Sequence, residues 1–332
     1  MRAPGFWARD PSAPGLAATL LRPLGALYAA ATARRVARPG YRAGVPVICV
    51  GNLNAGGTGK TPVVMALLMH LAARGIAAHV VSRGHGGSLP GPVRVSERDH
   101  TAAEVGDEPL LLSAFAPVWV ARDRAAGVRA AEGAGARVIL LDDGFQNPSV
   151  VKDLSLVVVD AEAGFGNGLC IPAGPLREPV AAGLARADAM VLIGPPTARA
   201  GFAARWPVAL PVLEAELQPL PTGMPWAGLR VMAFAGIGRP DKMFATLRGL
   251  GADLVRTVAL DDHQPLPRAL LNRMESEARS LNARLVTTEK DAMRLPPDLR
   301  ASILTLPVRL TLADPAALDR VLAPVLSAAT GP

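Results

Sequence analysis

Apolar and polar positions along this chain fall into two alternating patterns. Short β-branched runs are followed by longer stretches in which apolar residues recur every three or four positions. Residues 45–50, 77–82, 117–121, 137–142, 154–160 and 189–193 are runs of the first kind, and each predicts a buried strand. Helical spacing marks residues 63–74, the leucines after Val105-Gly-Asp-Glu-Pro109, and the stretch opening at Arg122-Asp-Arg124. Residues 88–100 are rich in proline, glycine and charge and read as a loop with at most one short strand. Repeated strand–helix units with apolar strands predict a mostly parallel sheet covered on both faces. In such a sheet, ligands gather at the carboxyl ends of the strands.

The pattern breaks near Trp206. Pro207, Pro211, Pro219, Pro221 and Pro225 punctuate a linker around one strand-like run, 212–217. A second α/β unit follows: strand 230–235, the turn Gly236-Ile-Gly238, a helix, the polar Asp261-Asp-His-Gln264, helix 268–281 and strand 284–287. Thr288-Glu-Lys-Asp291, a strand over 303–310 and a terminal helix complete it. The expected division is an N-terminal helical segment, 1–42, a core domain, 43–206, a proline-rich hinge, 207–228, and a smaller C-terminal α/β domain, 229–332. Half of the 332 residues are hydrophobic, enough for two cores.

The first segment carries most of the charge. Arg2, Arg9, Arg22, Arg34, Arg35, Arg38 and Arg42 against Asp10 give residues 1–50 a charge of +6, out of +7 for the whole chain. A basic end on a nearly neutral body points to an anionic surface rather than to nucleic acid. Between the arginines, Leu16, Leu20, Leu24 and Leu27 recur at helical spacing, with Pro23 expected to kink or restart the helix. Arg22 and Pro23 interrupt the apolar run, which argues for an amphipathic helix lying on anionic lipid instead of spanning it. The competing readings are a core helix with a solvated basic face and a signal peptide ending near Ala30-Ala31-Thr32-Ala33. Cys49 and Cys170 supply neither a disulfide framework nor metal spacing.

The strand 45–50 runs straight into Gly51-Asn-Leu-Asn-Ala-Gly-Gly-Thr-Gly-Lys-Thr61, and Pro62 then opens a helix. Strand, glycine loop and helix make a phosphate-binding loop. Asn54, Ala55, Gly56, Gly57, Thr58 and Gly59 would cradle the phosphates of ATP with their backbone N–H groups. Lys60 would reach those phosphates, and the Thr61 hydroxyl would hold Mg²⁺. The strict pattern has glycine where this chain has Asn54, a residue that tolerates left-handed backbone. Lysine occurs only at Lys60, Lys152, Lys242 and Lys290, so retaining one in the loop marks a need for a compact ammonium. Asp142 and Asp143 close an apolar strand, where a carboxylate reaches the metal of a phosphate-loop enzyme. Taken alone, Asp107-Glu108 reads as a helix cap and His263 as a polar loop residue.

In order along the chain stand Val-Gly-Asn-Leu-Asn-Ala-Gly-Gly-Thr-Gly-Lys-Thr-Pro, Ser82-Arg-Gly, Gly-Asp-Glu-Pro-Leu-Leu-Leu, Ala121-Arg-Asp-Arg and Asp-Asp-Gly-Phe-Gln. Gly166-Asn-Gly, Pro172-Ala-Gly-Pro-Leu-Arg-Glu-Pro179, Phe234-Ala-Gly-Ile-Gly and Thr-Thr-Glu-Lys-Asp follow. Together they closely resemble the tetraacyldisaccharide 4′-kinase family of lipid A biosynthesis, over nearly the whole chain. The resemblance implies a P-loop NTPase-like fold and transfer of the ATP γ-phosphoryl group to an acylated disaccharide 1-phosphate, giving lipid IVA. It implies a kinase of the inner membrane; with the basic helix, the expectation is a peripheral enzyme on the cytoplasmic face, and no obligate protein partner is evident. Carried over by motif, Lys60 and Thr61 serve phosphate and Mg²⁺, and Asp142, Asp143 and Glu178 form the acidic metal and phosphate site. Asp107 matches the general base, partnered by His263, while Arg83, His85 and Arg122 match head-group contacts. His85 stands where the family commonly has tyrosine; Asn147 and Gln264 stand where it commonly has histidine. A membrane-docking P-loop ATPase switch is the alternative class. A GTPase lacks support, because Thr288-Glu-Lys-Asp291 has its lysine one place late for a guanine motif.

Overall fold

Thirteen strands divide between two sheets in this computed structural model, which describes residues 3–329. Arg2 of the basic end and residues 330–332 of the expected terminal domain lie outside the described residues. The larger sheet takes β1 (Val47–Gly51), β2 (Ala78–Ser82), β3 (Val93–Arg94), β4 (Val118–Val120), β5 (Val138–Asp142), β6 (Leu154–Asp160), β7 (Ala189–Ile193) and β8 (Val212–Pro219). The smaller takes β9 (Arg230–Ala235), β10 (Asp253–Ala259), β11 (Arg284–Thr288) and β12 (Leu304–Leu306), all parallel. The last strand, β13 (Val308–Leu312), returns to the larger sheet, whose order is β13-β8-β7-β6-β1-β5-β2-β4-β3.

Strands β1, β2, β5, β6 and β7 are buried at every position, as continuous apolar runs require. Their period of two splits the sheet between two cores. Ile48, Val50, Val138 and Leu140 pack with Val64, Leu67 and Leu71 of helix α2 (Lys60–Ala72; α1, Leu16–Val36, precedes it) on one face. Val47, Cys49, Ile139 and Leu141 pack with Val128, Phe145 and Phe165 on the other. β1 lies between β5 and β6, parallel to both, with Val50 opposite Asp142. The winding reverses direction at β1, so a ligand crevice opens at its carboxyl end.

The expected domain limits differ from the structure in two places. β8, inside the stretch read as hinge, is a strand of the larger sheet beside β7. The run expected as one strand over 303–310 is two, divided at Pro307: β12 belongs to the small sheet and β13 pairs antiparallel with β8. Proline has no N–H to donate to a ladder, so the chain can leave one sheet there and enter the other. Helix Pro315–Ala329 then buries Leu318, Leu322 and Val325 in the same core as Val63 and Leu67. The tail of the expected C-terminal domain therefore folds onto the first. The two crossings lie side by side, with Leu220 N–H donating to Pro307 O at 2.9 Å. β10 had no counterpart in the apolar pattern because it is an edge strand, largely exposed and bearing Asp253 and Arg256.

Helix α1 (Leu16–Val36) runs through Pro23 as one continuous helix, so the chain does not restart there. One lost backbone bond is tolerated because small residues seat the helix. Ala18, Gly25 and Thr32, seven apart, are its buried positions, and a Cβ at Gly25 would meet Cys170 O at 2.8 Å. Leu16, Leu20, Leu24 and Leu27 point away, 84%, 79%, 52% and 68% exposed. By length and composition the unbroken helix is apolar enough to cross a membrane, which the expected interruption at Arg22 and Pro23 had argued against.

Candidate active site

The phosphate loop is built on positions that need glycine. Gly59, the residue before α2, has φ of +92° and Gly56 has +121°, both in the left-handed half of backbone space. Asn52 is fully buried and donates to Gly56 O and to Thr58 Oγ1, each at 3.1 Å, tying the loop across its own turn. Asn54 does not take the left-handed backbone expected of it. It bridges antiparallel to Leu176 and donates from Nδ2 to Gly164 O at 3.0 Å. Ala55 N–H to Pro175 O and Arg177 N–H to Leu53 O, both 2.7 Å, complete this splint. An extended pairing at this position removes the need for glycine.

Lys60 Nζ lies 3.5 Å from Asp143 Oδ1, and Arg177 Nη1 donates to the same oxygen at 2.8 Å. Burial works to raise the Asp143 pKa, but Lys60 and Arg177 outweigh it and hold the carboxyl at about 2. Asp142 is 1% exposed. Its Oδ2 accepts from Ser82 Oγ at 3.3 Å, and among the described residues its Oδ1 has no partner. Burial first, then the Glu108 charge, push this carboxyl up to about 7. Glu178 is differently engaged. Arg186 donates to both its oxygens at 2.6 Å, and Gln146 Nε2 donates to Oε1 at 3.0 Å. Of the expected metal set, Thr61, Asp142 and Asp143 belong to the loop and its neighbouring strand end, whereas Glu178 sits in an ion pair. Among the described residues, no group of three or more His, Cys, Asp or Glu side chains is arranged to hold a metal by itself.

Asp107 opens the helix Asp107–Leu112 and is 3% exposed. Its Oδ2 meets His263 Nδ1 at 3.0 Å, across 156 residues and both domains. Its Oδ1 accepts from Glu108 N–H at 2.9 Å, and Arg294 Nε stands 3.4 Å from Oδ2. Burial tends to raise the Asp107 pKa, yet the His263 hydrogen bond and the Lys290 charge leave it below the usual carboxylate value. The Asp107 hydrogen bond is the main reason the His263 pKa is raised. His263 itself has a φ of +57° and donates its N–H to Gly236 O at 3.2 Å. Lys290 Nζ lies 3.1 Å from His263 Nε2, 3.0 Å from Glu108 Oε1 and 3.5 Å from Asp262 Oδ1. Burial opposes its charge, but Glu108, Asp107 and Asp262 together raise its pKa.

A cleft of about 500 Å³ separates the two domains. Gly57–Thr61, Ile193, Gly194 and Pro195 wall one side; Ile237–Arg239, Met243, Asp262 and Glu289–Lys290 wall the other. At one end, Arg239 and Lys242 reach Asp160 at 2.8 and 2.7 Å, and Arg239 also reaches Glu162 at 2.6 Å. At the other end stand the contacts of Glu108 with Lys290 and of Asp107 with His263. Gly238 packs on the loop between them, where its Cβ would come 3.3 Å from Gly57 N. Three of the four lysines, Lys60, Lys242 and Lys290, line this cleft. Sequence reasoning used the rarity of lysine only at Lys60. The same signal extended to Lys242 and Lys290 would have found both.

The expected head-group residues cluster less tightly. Arg83 and His85 are exposed on the loop after β2. That loop lies against Gly106, whose Cβ would come 2.8 Å from His85 O, so it borders Asp107. The His85 and His263 rings meet edge to face at 5.3 Å. Arg122 is exposed too and donates to Ser88 O at 3.1 Å. Asn147 and Gln264 serve their own turns: Asn147 Oδ1 accepts from Ser149 N–H and Oγ, and Gln264 Oε1 accepts from Asp261 N–H.

A phosphate loop on the central strand, facing a second domain that brings a histidine to a buried aspartate, defines a P-loop phosphotransferase. The chain belongs to the tetraacyldisaccharide-1-P 4′-kinase family, whose model matches residues 17–327. It is 67% identical over 326 residues to the tetraacyldisaccharide 4′-kinase of Dinoroseobacter shibae, covering 97% of each chain. It is 58% identical to that of Jannaschia sp., covering 98% of this chain and 99% of the relative. Its fold matches the crystal structure of LpxK from Aquifex aeolicus in complex with ATP with a TM-score of 0.73. That match covers 93% of this chain and 99% of the other at 24% identity.

Proposed function

We propose that this chain moves the γ-phosphoryl group of ATP to the 4′-hydroxyl of a tetraacylated disaccharide 1-phosphate, with Asp107 taking the proton and His263 orienting Asp107. The overall reaction, ATP-dependent 4′-phosphorylation in lipid A biosynthesis, follows from membership of the family. The observation that carries the residue roles is the pairing of Asp107 with His263 at 3.0 Å, beside a cleft walled by Lys60 and Thr61. As the sugar O–H breaks, its proton passes to the Asp107 carboxylate, the oxygen bonds to Pγ, and the bond from Pγ to the bridging oxygen of ADP breaks. Lys60 and the loop N–H groups meet the charge that spreads over the phosphate oxygens. Closure of the second domain excludes water, which would otherwise compete for the phosphoryl group.

Thr61 and Asp142, with Asp143 beside them, would hold Mg²⁺. The unpartnered, buried Oδ1 of Asp142 and the hydroxyl of Thr61 form the hard oxygen donor set this ion takes. Bound there, the ion would neutralise phosphate charge. Glu178 does not fit that role, since Arg186 holds both its oxygens. It supports the loop instead: Gln146, bonded to Glu178, donates to Asn52 O at 2.8 Å.

An acylated substrate supports a site of action at a membrane. Helix α1 would lie on the cytoplasmic face of the inner membrane, with its leucine face in the acyl region and Arg22, Arg34, Arg35 and Arg38 near anionic head groups. A helix seated on the body through Ala18, Gly25 and Thr32 is held against the protein along its length, which favours surface attachment over crossing. Incubation with γ-labelled ATP and the tetraacyl disaccharide phosphate should yield a labelled lipid. Hydrolysis of ATP without a labelled lipid, stimulated instead by a protein partner, would replace the kinase by an ATPase switch.

A further inference from the structure

The Asp107–His263 pair leaves open which nitrogen of the imidazole carries the proton. Its other contact settles that in chemical terms. An ammonium has three N–H donors and no lone pair, so it can only donate. Lys290 Nζ lies 3.1 Å from His263 Nε2, and its positive charge is held by Glu108 at 3.0 Å and Asp262 at 3.5 Å. The Nε2 atom must then offer a lone pair. An Nε2 that accepts from the lysine leaves the ring proton to Nδ1, which would donate it to Asp107 Oδ2, 3.0 Å away.

We infer that Lys290 is a positioning residue that locks His263 as the neutral Nδ1–H tautomer, so that the proton leaving the sugar hydroxyl stops at Asp107 and is not relayed to the imidazole. This rests on the proposed role of Asp107 as base. In that arrangement the imidazole has no vacant acceptor. Nδ1 already carries hydrogen, and the Nε2 lone pair is taken by the lysine. Asp107 Oδ2 is occupied by His263 and faces Arg294, whereas Oδ1 accepts only the Glu108 N–H and keeps a second lone pair for the incoming proton. The transfer balances: the O–H bond of the sugar breaks, an O–H bond forms on Asp107, and solvent takes that proton once product leaves.

The groups that face His263 decide what removal of Lys290 does. Asp107 on one side and Asp262, 3.7 Å from Nε2, favour an imidazolium. Lys290 opposes it, and the ring of His85 stands edge-on at 5.3 Å. Without the ammonium only burial and Arg294, beside Asp107, weigh against the two carboxylates, so His263 becomes charged at a higher pH and ties up Asp107 as an ion pair.

The test reads the tautomer directly and the rate separately. ¹⁵N NMR of the full-length protein labelled at its five histidines, with His263 assigned by its loss in His263→Gln, should show Nδ1 protonated and Nε2 as a bare acceptor at pH 7. In Lys290→Met the imidazolium should appear, and the acid limb of the kcat profile should move up by about one pH unit. Lys290→Arg, still a pure donor, should keep the wild-type tautomer and limb. An imidazolium in the wild type at pH 7, or protonation at Nε2, overturns the inference even if Lys290→Met fails to fold. A uniform loss of rate in Lys290→Met with an unmoved limb also overturns it, leaving the lysine as a structural tie. Absence of kinase activity would remove the proposed function and leave the NMR result standing by itself.

Discussion

Lys60 and Asp143 face each other 3.5 Å apart across the mouth of the phosphate loop, and Arg177 shares the same Asp143 oxygen at 2.8 Å. The ammonium is thereby held at the loop by a carboxylate whose own charge is secured by two cations. A nucleotide phosphate entering the loop would compete with Asp143 for Lys60 instead of having to draw the side chain in from solvent. That explains why an acid follows Asp142 at a position where the backbone must adopt φ of +53°, a conformation costly for most residues.

Lys60→Ala should therefore lower kcat by about a thousandfold or more, because the ammonium meets charge that develops in the transfer. Its thermal melting temperature should stay near that of the wild type, since Lys60 is bound to no core group. Steady-state kinetics with saturating ATP, beside a melting curve, checks both. Turnover close to wild type would remove the loop from the chemistry.

Asp142 ties metal binding to pH. Its carboxyl is pushed up to about 7 by burial and by Glu108, so near neutrality a bound cation must displace its proton. Mg²⁺ affinity should tighten as pH rises through 7 and level off above it. Without metal the sign for stability is opposite. A carboxyl whose folded pKa is raised above its unfolded value favours the fold at low pH, and that advantage disappears as pH rises through 7. Asp142→Asn should thus melt a few degrees higher than wild type at pH 8 without Mg²⁺, and should lose most of its activity. A mutant that melts lower at pH 8 would show the carboxylate to be well satisfied in the fold.

Much of this was legible in the sequence because the central strands are buried on both sides. Residues 189–193 are apolar throughout and 154–160 apolar but for Ser155 and Asp160, so their limits were read without error. The loop at Gly56–Thr61 was legible from its glycines, which the backbone requires. What escaped depended on partners distant in the chain. Asn54 was read as a turn residue, yet its conformation is set by Pro175 and Leu176, more than a hundred residues on. Glu178 stood in an acidic motif, and nothing local revealed that Arg186 would claim it. The run 303–310 is apolar on both sides of Pro307, so periodicity could not show that its halves enter different sheets. Lys290 and Arg294 lie in a segment whose significance appears only when the small domain meets Asp107.

Helix α1 gives a third test. Leu20→Glu with Leu24→Glu changes two residues whose side chains face outward, so the fold should be unaffected. Flotation with anionic vesicles should fall sharply, and KM for the lipid acceptor should rise while KM for ATP stays the same. Higher salt should weaken binding of the wild type, since each arginine near an anionic surface contributes about 1 kcal/mol. Deletion of residues 1–42 should reproduce the loss. Vesicle binding that survives both changes would place the attachment elsewhere on the protein.

The last test asks whether the two domains work as one site. Asp107 is fixed by the helix it begins, and His263 by a strained turn in the other domain, so their 3.0 Å contact ties the two domains together at the cleft. Asp107→Ala and His263→Ala should each lower kcat by about a hundredfold or more with little change in ATP affinity. The double mutant should be scarcely slower than the worse single mutant, as expected of residues that act as a unit. The comparison must be made at saturating lipid, because loss of the contact would also loosen closure and raise the apparent KM. Replacing His263 by Gln keeps a donor for Asp107 but gives up the ring, so it should restore part of the rate that Ala loses. Fully multiplicative losses would mean that His263 stabilises the closed cleft independently of the base. Asp107 would then need another partner, and Arg294, 3.4 Å from the same oxygen, is the residue placed to serve.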